Sequence, residues 1–148
     1  MPIFSADIFP RYAETDQMGV IYHSNYFIWF EYARGMLFEH MGFRAEDISE
    51  GDVLYPVRRV DCEYIRPARY GRVVSVSVRI KRFTGVRIIY DYEVHEKETG
   101  ELLARGSTEH AITNGKLEMI NLKRMKPEEA QKYFEYMEAC RLADAQDS

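Results

Sequence analysis

From residue 53 onward apolar and polar residues alternate in short runs, whereas an earlier stretch is apolar on nearly every side. In 73–80, Val74, Val76, Val78 and Ile80 fall on one face, and Val73, Ser75, Ser77 and Arg79 on the other. That two-residue period is the mark of a half-buried strand. In 86–94, Val86, Ile88, Tyr90, Tyr92 and Val94 share one face in the same way. Residues 3–12, 53–65 and 101–113 read as three further strands, with Pro10 placing the end of the first near an edge or bulge. Thr84-Gly85 and the KETG run at 97–100 are turn signals. Consecutive strands joined by short turns predict an antiparallel meander.

The apolar stretch lies between the first two strands. Residues 26–41 are long enough for a helix and stop at Gly42, a residue that suits the left-handed position after a helix end. Ser24 or Asn25 is the expected N-cap. Tyr26, Phe27, Ile28, Trp29, Phe30, Tyr32 and Ala33 surround this helix with apolar groups, which predicts burial on most sides. Glu31 interrupts them, and an ion pair with Arg34 three residues on is its simplest use. A last helix is expected over about 127–142, opened by Pro127, with Phe134 and Met137 on one side.

Strand, buried helix, four strands and a tail helix define an α+β fold in which an antiparallel sheet curls around a central helix. The pattern has no repeat, no low-complexity block and no linker, so residues 1–148 read as one domain with its core at about 4–122. Such a sheet leaves open edges, and pairing them across a two-fold axis predicts at least a homodimer, with a homotetramer as the alternative.

Composition narrows the function classes. With 46% hydrophobic and 30% charged residues among 148, the chain can bury a core and is not a disordered type. A formal net charge of -4 gives no global attraction to nucleic acid or to an anionic membrane. Arg58, Arg59, Arg66, Arg69, Arg72, Arg79, Lys81, Arg82 and Arg87 nevertheless crowd the middle, where they suit either a solvated sheet face or a phosphorylated small ligand. Cys62 and Cys140 make no disulfide framework, no signal-peptide pattern opens the chain, and no apolar run suggests a membrane span. A cytoplasmic location is therefore expected. There is no G-x-S-x-G elbow, no phosphate-binding G-x-x-x-x-G-K-[ST] loop and no zinc-like spacing among His23, His40, His95, His110 and the cysteines.

Chemistry concentrates in 12–34, YAETDQMGVIYHSNYFIWFEYAR. Asp16 stands in a loop shortly before a helix start, and Gly19 lets that loop fold back. Amides at the start of a helix lack intrahelical partners and carry the positive end of the dipole. A carboxylate beside them can attack or activate water while they hold a developing oxyanion. A loop Asp before a helix also serves commonly as a turn or cap residue.

Thr15-Asp16, Gly19, Tyr22-His23, Asn25-Tyr26 and Glu31 resemble the signature of the hotdog-fold acyl-CoA thioesterases, in the branch of 4-hydroxybenzoyl-CoA thioesterase and the Tol-Pal-associated YbgC-type enzymes. Tyr64-Ile65-Arg66-Pro67-Ala68 with Gly71, and GELLARGST at 100–108, resemble the family's later strands, so the likeness runs from about 4 to about 122. It implies a hotdog fold and hydrolysis of a fatty or aromatic acyl-CoA, with coenzyme A as part of the substrate and no cofactor or metal. By position it implies Asp16 as nucleophile or general base and the amide at His23, or its neighbour, as oxyanion donor. The His23 imidazole would polarise the carbonyl, orient Asp16 or merely pack. Tyr22 would join Asp16 and His23 in the catalytic group, shaping the loop and capping the helix with Asn25. Gly19, Asn25 and Tyr26 would line the substrate site, and Arg66, Lys81 and Arg82 are candidates for the phosphates of coenzyme A. Two rivals stay open: a hotdog dehydratase or hydratase using His23 and Glu31, and a non-catalytic acyl-CoA or acyl-carrier binding subunit.

Overall fold

The computed structural model describes residues 3–44 and 52–147. Strand β1 (Ser5–Ile8) is followed by a 3-10 turn at Tyr12–Glu14 and helix α1 (Asn25–His40). Then come β2 (Val53–Leu54), β3 (Val57–Tyr64), β4 (Val74–Phe83), β5 (Arg87–Glu96), β6 (Leu102–Ala111) and β7 (Thr113–Asn114). A short helix α2 (Leu122–Met125) and the long α3 (Pro127–Asp147) close the chain. The main sheet has the order β1-β4-β5-β6-β3, with every pairing antiparallel, and β2 pairs with β7 in a small second ribbon.

The alternation in the sequence sets the inner face of this sheet. Val74, Val76, Val78 and Ile80 of β4 and Ile88, Tyr90, Tyr92 and Val94 of β5 are all buried. Helix α1 lies on that face, with Phe30 stacked on Tyr92 at 4.3 Å between ring centroids. Its C-terminal end forms a complete Schellman motif: Gly42 takes φ +96, its N–H donates to Glu39 O, and the N–H of Phe43 donates to Phe38 O. The Phe38 and Phe43 rings stack across the motif at 4.0 Å. Three apolar residues therefore fix where the helix stops.

Several expectations need correction. The meander holds for β4 to β6, but β3 pairs with β6, from Val57↔His110 to Tyr64↔Ala104. The link 65–73 carries Pro67 and no tight-turn dipeptide, so it runs across to the far side instead of folding back. The expected strand 53–65 is split at Pro56, which has no N–H for a continuous ladder. Nor is α1 buried on most sides: Ile28, Tyr32 and Met36, spaced four apart, remain exposed. The main buried seam of α3 is Ala130, Tyr133, Tyr136 and Cys140, with Phe134 and Met137 partly buried beside it. This helix also covers the part of β4 that β1 leaves open, where Tyr136 Oη donates to Val78 O at 2.5 Å and accepts from Phe4 N at 3.0 Å. An open strand edge is thereby capped.

Candidate active site

The segment between β1 and α1 is pinned by a carboxylate that sequence reasoning missed. Glu14 is buried, with Oε1 accepting from Arg11 N at 2.7 Å and Oε2 from Trp29 Nε1 at 3.3 Å. Its carbonyl oxygen accepts from Tyr22 N at 2.8 Å and from Asn25 Nδ2 at 3.1 Å. One residue thus ties the 3-10 turn, the end of the loop and α1 together. Its partner Trp29 is fifteen positions away, so no local spacing marks it. Glu14→Ala would strand the Trp29 indole N–H and loosen the loop. Thermal melts and thiol-release assays should show a loss of about 2 kcal/mol together with at least a tenfold drop in rate. Unchanged values in both would remove Glu14 as the anchor.

Beyond Glu14 the chain makes a miniature hairpin, with Thr15 bridged to Ile21 and Asp16 N donating to Val20 O at 2.9 Å. Gly19 closes it at φ +79, a conformation that costs other residues strain. Asp16 Oδ1 accepts from Met18 N at 2.8 Å and from Val20 N at 3.4 Å. Among the described residues no hydrogen bond reaches Oδ2. One oxygen is therefore a fixture of the loop, and the other carries no such bond.

Helix α1 opens without a side-chain cap: Ser24 is the N-cap residue but its hydroxyl makes no capping bond. Asn25 does not cap either, and its amide instead bridges Glu14 O and Tyr22 O. The N–H groups of Asn25, Tyr26 and Phe27 donate to Tyr22 O, His23 O and Ser24 O. Among the described residues, the N–H groups of His23 and Ser24 donate to no protein acceptor. Tyr64 Oη donates to His23 O at 2.8 Å, and buried Tyr26 accepts from Ala68 N at 3.1 Å through its hydroxyl. Burial raises the Tyr26 pKa, opposed by its bond to Ala68, so it stays a neutral hydroxyl.

Asp16, His23, Tyr26 and Arg66 line one cleft of about 280 Å³, with Val20, Tyr64 and others completing its wall. The His23 ring is exposed, lies 4.3 Å from the Tyr22 ring, and makes no hydrogen bond to Asp16. Tyr22 is half-exposed beside it. Arg66 pairs with Glu101 at 3.3 Å but remains largely solvent-accessible. Lys81 and Arg82 are not brought to this cleft. Lys81 lines a charged groove with Asp61, Arg79 and Arg105, and Arg82 stands exposed past a bulge in β4. Strand alternation and that bulge turn them away from the helix. Among the described residues no three His, Cys, Asp or Glu side chains are grouped to hold a metal.

A second polar assembly lies deeper. Arg34 does not pair with Glu31; its Nη1 donates to Tyr92 Oη at 3.0 Å. Tyr92 Oη is 2.6 Å from Thr108 Oγ1, which is 2.9 Å from His110 Nε2, and His110 Nδ1 is 3.0 Å from Tyr55 O. A guanidinium only donates and a carbonyl only accepts, so with His110 neutral every proton in this chain points from Arg34 towards Tyr55. His110 is then the neutral Nδ1–H tautomer. Burial, opposed by the Tyr55 carbonyl and helped by Arg34, pushes its pKa down to about 4. The unfolded chain takes up that proton near its ordinary value of about 6.5. Stability should therefore fall as the pH drops from about 6.5 to about 4, by about 3 kcal/mol, and be flat in this contribution outside that window. Urea titrations of wild type and His110→Gln check it: equal slopes in the two proteins would contradict it.

Residues 18–103 match the family described as the thioesterase superfamily, more than half of the chain. The chain belongs to that superfamily and is a thioester hydrolase by class. YneP of Bacillus subtilis (strain 168), to which an acyl-CoA thioesterase activity is ascribed, is 36% identical over 110 residues, covering 74% of this chain and 79% of its own. The 1,4-dihydroxy-2-naphthoyl-CoA hydrolase of Synechocystis sp. is 30% identical over 100 residues, covering 66% and 72%. The solved structure of a DHNA-CoA thioesterase from Staphylococcus aureus superposes with a TM-score of 0.83 at 34% identity, covering 88% of each chain. The hotdog fold expected from the sequence is the fold observed.

Proposed function

We propose that this protein hydrolyses acyl-CoA thioesters to free acid and coenzyme A, with Asp16 as the reacting carboxylate and the amides of His23 and Ser24 as the oxyanion hole. The observation that carries the reading is one cleft lined by Asp16 and His23, with one carboxylate oxygen free and two unpartnered amides at the helix start. The carbonyl oxygen of the thioester takes its developing charge to those amides. Asp16 Oδ2 either attacks the carbonyl carbon, giving a mixed anhydride that water then opens, or draws a proton from the attacking water. In both routes the carbon–sulfur bond breaks, the thiolate takes up a proton, and one water is consumed. No cofactor or metal is needed, because the thioester is already electrophilic.

Two relatives named for 1,4-dihydroxy-2-naphthoyl-CoA or DHNA-CoA make an aromatic acyl-CoA the first substrate to test, ahead of fatty acyl chains. Thiol release should be measured over short, long and aromatic acyl-CoAs. Hydration of an enoyl-CoA serves as the control for the dehydratase alternative. Absence of thiol release from the whole panel would sink the proposal. Both cysteines are free, the state a reducing compartment maintains. Among the described residues no helix is long and apolar enough to cross a membrane. A cytoplasmic site of action fits both.

A homodimer or homotetramer is part of the same proposal. Ile28, Tyr32 and Met36 form an exposed apolar stripe on α1, while edge strand β3 exposes Val57, Val60 and Tyr64. Self-association would cover both. Light scattering on the eluted protein should give at least twice the monomer mass, and a monomer at micromolar concentration would contradict it.

A further inference from the structure

A second cavity, of about 300 Å³, lies between the C-terminal half of α1, β2, the inner face of β5 and β6, and α3. It shares no lining residue with the Asp16 cleft. Tyr26 and Phe38 mark the two sites on α1, twelve positions or about 18 Å of helix apart. Phe38, Val53, Leu54 and the Tyr90 ring give it apolar walls.

Three of its groups seek negative charge or an acceptor. Arg34 lines it, and among the described residues no carboxylate pairs with that guanidinium, which donates to the neutral hydroxyl of Tyr92. Among the described residues, the buried hydroxyls of Tyr55 and Tyr133 have no hydrogen-bond partner beyond each other, and Tyr133 as a residue is fully buried. Buried hydroxyls in folded proteins are nearly always satisfied, so two facing one cavity call for an explanation. The bond between them uses one proton and leaves the other hydroxyl still to donate. Arg34 brings a planar fork of N–H donors, and burial raises the pKa of both phenols and keeps them protonated. His110, neutral and with both ring nitrogens engaged, adds no charge to the wall. Among the described residues opposing charges are few: Glu31 is exposed while lining the cavity, and Glu129, close to both tyrosines, is 3.8 Å from Lys126.

We infer that this cavity is a binding site for a small organic monocarboxylate, with its carboxylate on Arg34 and the hydroxyl pair of Tyr55 and Tyr133. The ligand's ring or short chain lies against Phe38, Leu54 and Tyr90. A guanidinium with the O–H donor that the tyrosine pair leaves over matches the acceptor-only chemistry of a carboxylate. The volume is at the low end for a small-molecule site and admits one ring or a few methylenes. Glu31 disfavours dianions such as phosphates and dicarboxylates. Free acids of this kind are also what thioester hydrolysis releases, yet the site stands independently of the role given to Asp16.

Calorimetric titration of wild type with benzoate and hexanoate, each against its amide, tests the site without any variant. The acids should saturate at millimolar or lower concentration, and the amides should bind at least tenfold more weakly. Arg34→Met should lose at least tenfold in acid affinity and Tyr133→Phe severalfold, with native circular dichroism, while Asp16→Asn keeps the wild-type value. Should Arg34→Met fail to fold, the acid–amide comparison and Tyr133→Phe still decide. No saturable acid binding, equal binding of acid and amide, or loss of binding in Asp16→Asn would each overturn the site. The last would put the acid in the Asp16 cleft. Failure of thiol release with acid binding intact would overturn only the catalytic proposal.

Discussion

Asp16→Asn is expected to lower kcat for thiol release by at least about a thousandfold while melting temperature and oligomer mass stay native. The reason lies in the division of labour between the two carboxylate oxygens. Oδ1 accepts from Met18 N and Val20 N, and an asparagine carbonyl oxygen can keep both bonds. Oδ2 receives no hydrogen bond among the described residues and becomes an NH₂ that neither attacks a carbonyl nor takes a proton. Loop geometry therefore survives while the reacting atom is lost. Asp16→Ala is the poorer test, because it also frees the turn that Gly19 closes. His23→Ala gives the contrast: its imidazole makes no hydrogen bond to Asp16 and its backbone N–H survives, so the loss should stay within about tenfold. An Asn variant that keeps a tenth of wild-type kcat would exclude Asp16 as the reacting group.

The largest stability effect is expected at Gly106, far from any turn. Gly106 lies in β6 between Cys62 of β3 and Tyr92 of β5. A Cβ there would stand 2.4 Å from Asp61 O and 2.7 Å from Phe30 Cε2. Neither neighbour can yield cheaply, since one is a backbone carbonyl and the other a fully buried ring stacked on Tyr92. Missing side-chain volume at this point lets α1 settle onto the sheet. Gly106→Ala should cost about 3 kcal/mol or more through overpacking, a fall of about 10 °C in a chain of this length. Gly115→Ala, with open space around its Cβ and no positive φ, should change the midpoint by less than a degree or two. Differential scanning calorimetry on the two variants measures the contrast. A Gly106→Ala midpoint as close to wild type as that of Gly115→Ala would mean that the helix does not press on the sheet there.

What was legible in the sequence follows from which forces act locally. Alternation in 74–80 and 88–94 reports burial on one face, so the inner residues of β4 and β5 could be named before the fold was known. Gly42 and the end of α1 were equally local, because a Schellman motif is built from neighbours along the chain. The Asp16 loop is reached through its likeness to a family signature, since local spacing alone favours a turn or cap residue there. Position in the sheet was not legible. The 65–73 link carries no signal for which strand edge it reaches, and β3 joined β6 through pairings more than forty residues apart. Glu14 was invisible for the same reason, its role depending on Trp29 in the next element. Helix spacing suggests a Glu31–Arg34 pair because it cannot tell that Tyr92 offers Arg34 a partner from across the core. Charge alone points to Lys81 and Arg82, and charge says nothing of the face a residue occupies.

The most direct measurement is a structure of the protein bound to an acyl-CoA ketone analogue, in which a methylene replaces the thioester sulfur and the carbonyl is kept. The account predicts the carbonyl oxygen within about 3 Å of the N–H of His23 or Ser24 and the carbonyl carbon within about 3.5 Å of Asp16 Oδ2, in near-attack geometry. A bound analogue whose carbonyl oxygen faces solvent, or whose carbonyl carbon lies beyond reach of that carboxylate, would contradict it.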